Sequence, residues 1–158
     1  MRQVAIAVIG VLAAGCGSDG STGGNGAITI EGGANQTAEV GSALQPYSVK
    51  VSNGSGPVDG LTVSWQVASG GGSVTPASSL TDAQGIAEAV ATLGTQLGSQ
   101  TVRASASGYG TVVFTATGEA GPATLFVKSG ADGQVGKVSQ PLPQNLLVKV
   151  TDQYNNPV

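Results

Sequence analysis

Hydrophobic and polar residues alternate along much of this chain with a period of two, the pattern of strands that bury one face. The clearest run, "LTVSWQV", sets Leu61, Val63, Trp65 and Val67 on one side and Thr62, Ser64 and Gln66 on the other. "YSVKVS" opposes Tyr47, Val49 and Val51 to Ser48, Lys50 and Ser52. "QTVRASA" turns Val102, Ala104 and Ala106 inward, and "TVVFTAT" does so with Val112, Phe114 and Ala116. The link between these last two, "SGYG" at 107–110, has the composition of a hairpin turn. "AITI", from Ala27, is a short first strand. One segment fits two periods. "IAEAVATL" puts Ile86, Ala89, Val90 and Leu93 at helical spacing, but Ala87, Ala89, Ala91 and Leu93 on one face of a strand. Its shortness, its closure by Gly85 and Gly94 and its strand neighbours favour the strand.

Composition agrees with short strands and many turns. Of 158 residues 26 are Gly, while charged residues make up 9% and aromatics 4%, a mixture poor in helix formers. The expected fold is all-β: an immunoglobulin-like Greek-key sandwich of about seven strands. Trp65, Val63, Leu61, Val49, Val51, Val102 and Phe114 are its expected core. The length suits one complete domain with a remainder. The net charge is −3 and the acidic residues are scattered, so the basic footprint of a nucleic-acid binder is absent.

The start of the chain has a different logic. "MRQVAIAVIGVLAAGC" has a positive charge at Arg2, an apolar run from Val4 to Ala14 too short to span a bilayer, and small residues leading into Cys16. It resembles a bacterial lipoprotein signal, with "AAGC" as the lipobox, although Leu12 stands one place further from the cysteine than that family prefers. The resemblance implies cleavage between Gly15 and Cys16 and a lipid on Cys16, anchoring an exported protein to the cell envelope, at the outer membrane or cell surface. Cys16 is the sole cysteine, which excludes a disulfide framework within the chain and fits an anchoring role. Residues 16–26 then form a Gly/Ser tether, with a reach of roughly 15 to 20 Å.

A repeat organises the rest. "GGANQTAEVGSALQPYSVKVSNGSGPV" (32–58) can be laid over "SGADGQVGKVSQPLPQNLLVKVTDQYNNPV" (129–158). Val51 then pairs with Val150, Pro57 with Pro157 and Val40 with Val135, a period of about one hundred residues, the size of one immunoglobulin-like module. Residues 27–120 are thus a complete module and 121–158 the truncated start of a second, as in a fragment of a longer protein. With about forty residues this start cannot bury an adequate core. It is expected to be disordered, to borrow the first module's edge, or to associate with another chain.

"GPVDGLTVSWQV", "LTDAQGIAEAVATL" and "TDQYNNPV" resemble the bacterial Ig-like group 1 repeat of invasin and intimin stalks. In that family a turn ending Asn-Pro-Val leads into a strand with an aromatic residue, and a "TD-x-x-G-x-A" phrase leads into the next strand. The first copy departs from it at "SNGSGPV", where Ser and Gly replace the usual Asp and Asn. The resemblance implies a surface-anchored spacer or adhesin stalk segment.

Candidate chemistry is sparse. The chain has no His, so neither a Ser-His-Asp nor a Cys-His arrangement can be built, and no nucleotide or zinc motif is present. No cofactor and no enzyme activity are expected. "SGGGS" at 69–73 reads as a loop for a tight reversal, since no helix follows it to make a phosphate cradle. Trp65 could stack on a sugar but reads as a core anchor. Asp59 and Asp82 could offer oxygens to calcium, yet a single carboxylate in each turn equally stabilises that turn; no metal site is expected. Tyr109 and Tyr154 are placed at exposed tips, as weak candidates for contact with a host or cell-surface protein or a polysaccharide. The competing reading is an accessory ligand-binding module of a larger exported protein.

Overall fold

A computed structural model of the chain describes residues 26–158; the signal segment, Cys16 and the tether up to residue 25 lie outside the described residues. The described residues form strands and no helix. Ten strands build the first copy: β1 (Ala27–Gly32), β2 (Gln36–Glu39), β3 (Tyr47–Asn53), β4 (Gly56–Pro57), β5 (Thr62–Ser69), β6 (Ser73–Thr75), β7 (Ser78–Leu80), β8 (Ile86–Thr92), β9 (Gly98–Ala106) and β10 (Gly110–Glu119). One sheet has the order β1-β3-β8-β6, with β4 on β3, and the other the order β2-β10-β9-β5-β7. The chain crosses between sheets repeatedly, and β9 returns to lie between β5 and β10, giving the immunoglobulin-like Greek-key sandwich. The strands outnumber the expected seven because β2, β4, β6 and β7 are two- to four-residue pieces, too short to show an alternation in sequence.

The two inner faces meet as their periodicity requires. Tyr47, Val49 and Val51 on β3 and Ala87, Ala89 and Ala91 on β8 pack against Val63 and Trp65 on β5, Val102 and Ala104 on β9, and Phe114 and Ala116 on β10. "IAEAVATL" is therefore a strand, and its alanines let the sheets approach. Aromatic rings fill the volume that the alanines leave. Tyr47 stacks on Phe114 with centroids 4.3 Å apart, and Trp65 lies 5.9 Å from Phe114. Burial pushes the Tyr47 hydroxyl's pKa up. Trp65 satisfies its one polar atom by donating from Nε1 to Ser79 Oγ at 2.9 Å. Leu61 is half-buried at the margin of this core.

The second copy forms a separate two-stranded ribbon, β11 (Leu125–Gly130) and β12 (Leu147–Thr151). A borrowed edge of the first module, one of the three alternatives expected for residues 121–158, does not occur: the two strands pair with each other. The ribbon pairs with itself because it carries the same internal ties as β1 and β3. Ile28 faces Val51 and Phe126 faces Val150, with a register irregularity before Gly32 in one ribbon and before Gly130 in the other. In the first copy Gln36 donates from Nε2 to the carbonyls of Gly33 (2.7 Å) and Gln45 (3.0 Å) and accepts from the Gln45 amide (2.8 Å). Gln134 makes the same three bonds with Ala131 (2.8 Å), Gln144 (2.9 Å) and the Gln144 amide (2.8 Å). Positive φ angles recur at Gly33, Asn35 and Gly41 and, with the same spacing, at Ala131, Gly133 and Ser139. This frame equates Val40 with Val138 and corrects the pairing with Val135. One extra residue before Gln144 misled the sequence alignment. Val40 is buried, whereas Phe126, Val138 and Val148 are exposed, since the described residues of the second copy include no counterpart of β5, β9 and β10.

Candidate interaction site

The best-connected polar group of the described residues lies where the two copies meet. Thr151 ends β12, and the chain turns through Asp152, Gln153, Tyr154 and Asn155 to Asn156. Asp, Asn and the left-handed Asn155 (φ 66°) are the residues such a turn needs. Asp152 Oδ1 accepts the amides of Tyr154 (2.8 Å) and Asn156 (2.9 Å), which closes the turn. Oδ2 accepts Asn156 Nδ2 (3.0 Å) and the amide of Gly121 (3.2 Å) in the link between the copies. Asn156 Nδ2 also donates to the carbonyl of Thr95 in the first copy at 3.0 Å. Tyr154 rests its hydroxyl against Gly41. Asp152 is 1% exposed. Burial by itself would raise its pKa, but bonds from the Asn156 side chain and from the amides of Asn156, Tyr154 and Gly121 outweigh it and hold the carboxyl below its ordinary value.

Glycines shape the surface that receives this turn. Gly70, Gly71 and Gly72, the core of "SGGGS", take φ of 84°, 76° and 83° in succession; a side chain on Gly72 would collide with the backbone of Thr92 and Gly94, and one on Gly70 with Gln100. The loop is a chain reversal. Buried Gln100 supports it by accepting the Gly94 amide at 2.7 Å and donating to the Gln96 carbonyl at 2.9 Å. The Gly41 amide donates to the Gly94 carbonyl at 3.1 Å, which ties Gly41 to the same platform.

Other residues singled out from sequence fall elsewhere. Trp65, Val63, Val49, Val51, Val102 and Phe114 are buried in the sandwich, so the indole has no face for a sugar. Tyr109 is not a free tip: its ring lies over Gly26, and its carbonyl accepts the Ile28 amide at 3.0 Å, so it closes the end of β1. Tyr154 is not free either, since it contacts the first copy. Asp82 spends Oδ1 on the amides of Gln84 (2.9 Å) and Ile86 (2.8 Å) in its own turn. Asp59 is exposed, and no group of three or more His, Cys, Asp or Glu is gathered among the described residues. The joint itself was missed. Its signal in sequence was the contrast between "DQYNN" in one copy and "NGSG" at the matching turn of the other.

The chain matches no family model and no curated protein. It is similar to several solved structures. One is the C-terminal 282-residue fragment of intimin in complex with the intimin-binding domain of the translocated intimin receptor (27% identity, 56% of this chain and 29% of that one, TM-score 0.43). Another is the D00-D0 domain of intimin (20% identity, 58% of this chain and 45% of that one, TM-score 0.44). A third is domains 4–9 of the surface layer protein SbsC (18% identity, 83% of this chain and 20% of that one, TM-score 0.44). The chain therefore spans less than half the length of each.

Proposed function

We propose that this chain is a non-enzymatic, exported spacer or adhesin stalk segment, in which immunoglobulin-like modules stand in series on a lipid anchor at Cys16. On this reading residues 1–15 are the signal, 16–26 a Gly/Ser-rich linker, 27–120 the first module and 121–158 the start of a second. The observation that carries it is the repetition in the second ribbon. The register, irregularity and glutamine clasp of β1 and β3 recur in β11 and β12, which form a sheet of their own and are not paired into those of the first module. A fold copied in series supplies length. The surface of the first module fits a spacer better than a sugar-binding module, because its exposed large apolar residues (Ile30, Leu80, Val90, Leu97 and Val113) include no aromatic row.

The test is an intact mass of the detergent-extracted protein together with membrane fractionation of the native protein and of Cys16→Ser. The expected outcome is a chain that starts at Cys16 and carries acyl groups, and a variant that leaves the membrane fraction. An unacylated native chain, or a variant that stays membrane-bound, would overturn the anchor. Glycan-array binding abolished by Tyr109→Ala would overturn the spacer reading in favour of a ligand-binding module.

A further inference from the structure

We propose that the two copies meet through a plug and socket, with the plug on the second copy and the socket on the first. The proposal rests on the serial-module reading and deepens it. The plug is the turn from Asp152 to Asn156. Its shape is fixed by its own carboxylate, and it presents the Tyr154 ring and the Asn156 amide to the first copy. The socket is the glycine platform, with Gly41 leaving room for the tyrosine hydroxyl and Thr95 offering its carbonyl. A Cβ on Gly41 would lie 2.5 Å from Tyr154 Oη, so a side chain there would displace the end of the tyrosine ring from this seat.

The first copy has a socket and no plug. Its matching turn runs from Asn53 to Gly56, where Asn53 Oδ1 accepts only the Ser55 amide, at 2.9 Å. A serine stands in the place of Tyr154. The turn is one residue shorter, because Ser52 pairs with Pro57 where Thr151 pairs with Pro157, and nothing corresponds to Asn156. The second copy has the plug, and Ser139 (φ 61°) stands at the position of Gly41 (φ 79°), with a Cβ where the first copy seats the tyrosine. The joint is therefore built from unlike halves. Stiffness is placed between the modules. The partner that the platform accepts is thus a preformed Thr-Asp-x-Tyr-Asn-Asn turn.

The test uses residual dipolar couplings and amide exchange on the isotopically labelled full chain, comparing the native protein with Gly41→Asn and Asp152→Asn. Asparagine already occupies left-handed positions at Asn35 and Asn155, so Gly41→Asn is compatible with the backbone while obstructing the tyrosine. Asp152→Asn keeps the shape but turns an NH2 toward the Gly121 and Asn156 donors. In the native chain one alignment tensor should fit β1–β10 and β11–β12 together. In each variant the ribbon should need its own, weaker tensor, and Gly121 amide exchange should speed up roughly tenfold. Unchanged protection of Val49 and Ala104 amides shows that the sandwich is still folded. Two tensors in the native chain would overturn the fixed joint, while the series of modules is tested separately by the intact mass and fractionation. One tensor in the native chain and also in Gly41→Asn would overturn the socket while leaving the series of modules intact.

Discussion

Replacing Phe114 by Ala removes the ring at the centre of the sandwich while leaving its strand and hydrogen bonds in place. Phe114 is completely buried, stacks on Tyr47 at 4.3 Å and lies 5.9 Å from Trp65. Neither neighbour can fill the gap, because Tyr47 is fixed on β3, which pairs on both sides, and the Trp65 indole is held by Ser79. Truncating such a ring costs about 4 kcal/mol, through lost transfer energy and the cavity left behind. A module of this size has about 5 to 10 kcal/mol in all, so the variant should fold at 25 °C with most of its margin gone. With a urea dependence of about 1.5 kcal/mol per molar, the midpoint should fall by roughly 2 to 3 M. Trp65, the sole tryptophan, reports the transition by its fluorescence. The adjacent Val113 is the control: it points outward from the same strand and is 50% exposed, so Val113→Ala should stay within about 0.5 kcal/mol of native. A Phe114→Ala midpoint within about 0.5 M of native, or a Val113→Ala loss of the same size as that of Phe114→Ala, would refute the two-faced assignment of β10.

Asp82→Ala removes two turn bonds and should cost about 1 kcal/mol in the same urea titration, while chelation of divalent cations leaves the native midpoint unchanged; a drop on adding EDTA would restore the calcium reading. The joint should loosen in acid. Because the Asp152 carboxyl is held below its ordinary value, its contribution is fully present above the ordinary carboxylate range and is lost as pH falls through the lowered value. Gly121 amide exchange, corrected for its intrinsic pH dependence, should therefore stay slow from pH 7 to about 5 and quicken below about 4. Glu39 is the other carboxylate beside Gly121, so the profile should persist in Glu39→Gln and vanish in Asp152→Asn; the reverse pattern would assign it to Glu39.

The strand faces were legible because alternation is a local property. The run from Leu61 to Val67 names its own inner face, and the placement of "IAEAVATL" between glycines settled the choice of period. Long-range choices left no such trace. β2 pairs in parallel with β10, joining Gln36 to Ala116, and nothing in "QTAE" announces a partner eighty residues away. Gln36 and Gln100 read as ordinary polar residues, yet each ties together chain segments that are separate in sequence. Tyr109 looked exposed because turns usually are, and the glycine that accommodates its ring lies at the far end of the module. The joint was hidden for a further reason. Asp152 and Asn156 have the composition of any turn, and only the bonds to Gly121 and Thr95 distinguish a turn that docks from one that merely reverses the chain.

The same local motif serves both purposes, which explains how a joint can be built from so few residues. Thr81-Asp82 and Thr151-Asp152 fold alike: in each the aspartate Oδ1 accepts the amides two and four residues on, and its own amide donates to the carbonyl four residues on. Gly85 and Asn155 take the left-handed position in the two turns. The Asp82 turn puts both of its side-chain bonds on Oδ1 and stays within its module. The Asp152 turn adds Tyr154, Asn156 and bonds to Oδ2, and so reaches the link and the first copy. Because Oδ1 shapes the turn before any docking, little conformational freedom remains to be lost when the second oxygen and the two side chains engage. A small contact between two prefolded surfaces can then hold one orientation that the same area of flexible loop could not. This places the stiffness of the tandem in a carboxylate with four hydrogen bonds and not in buried apolar area.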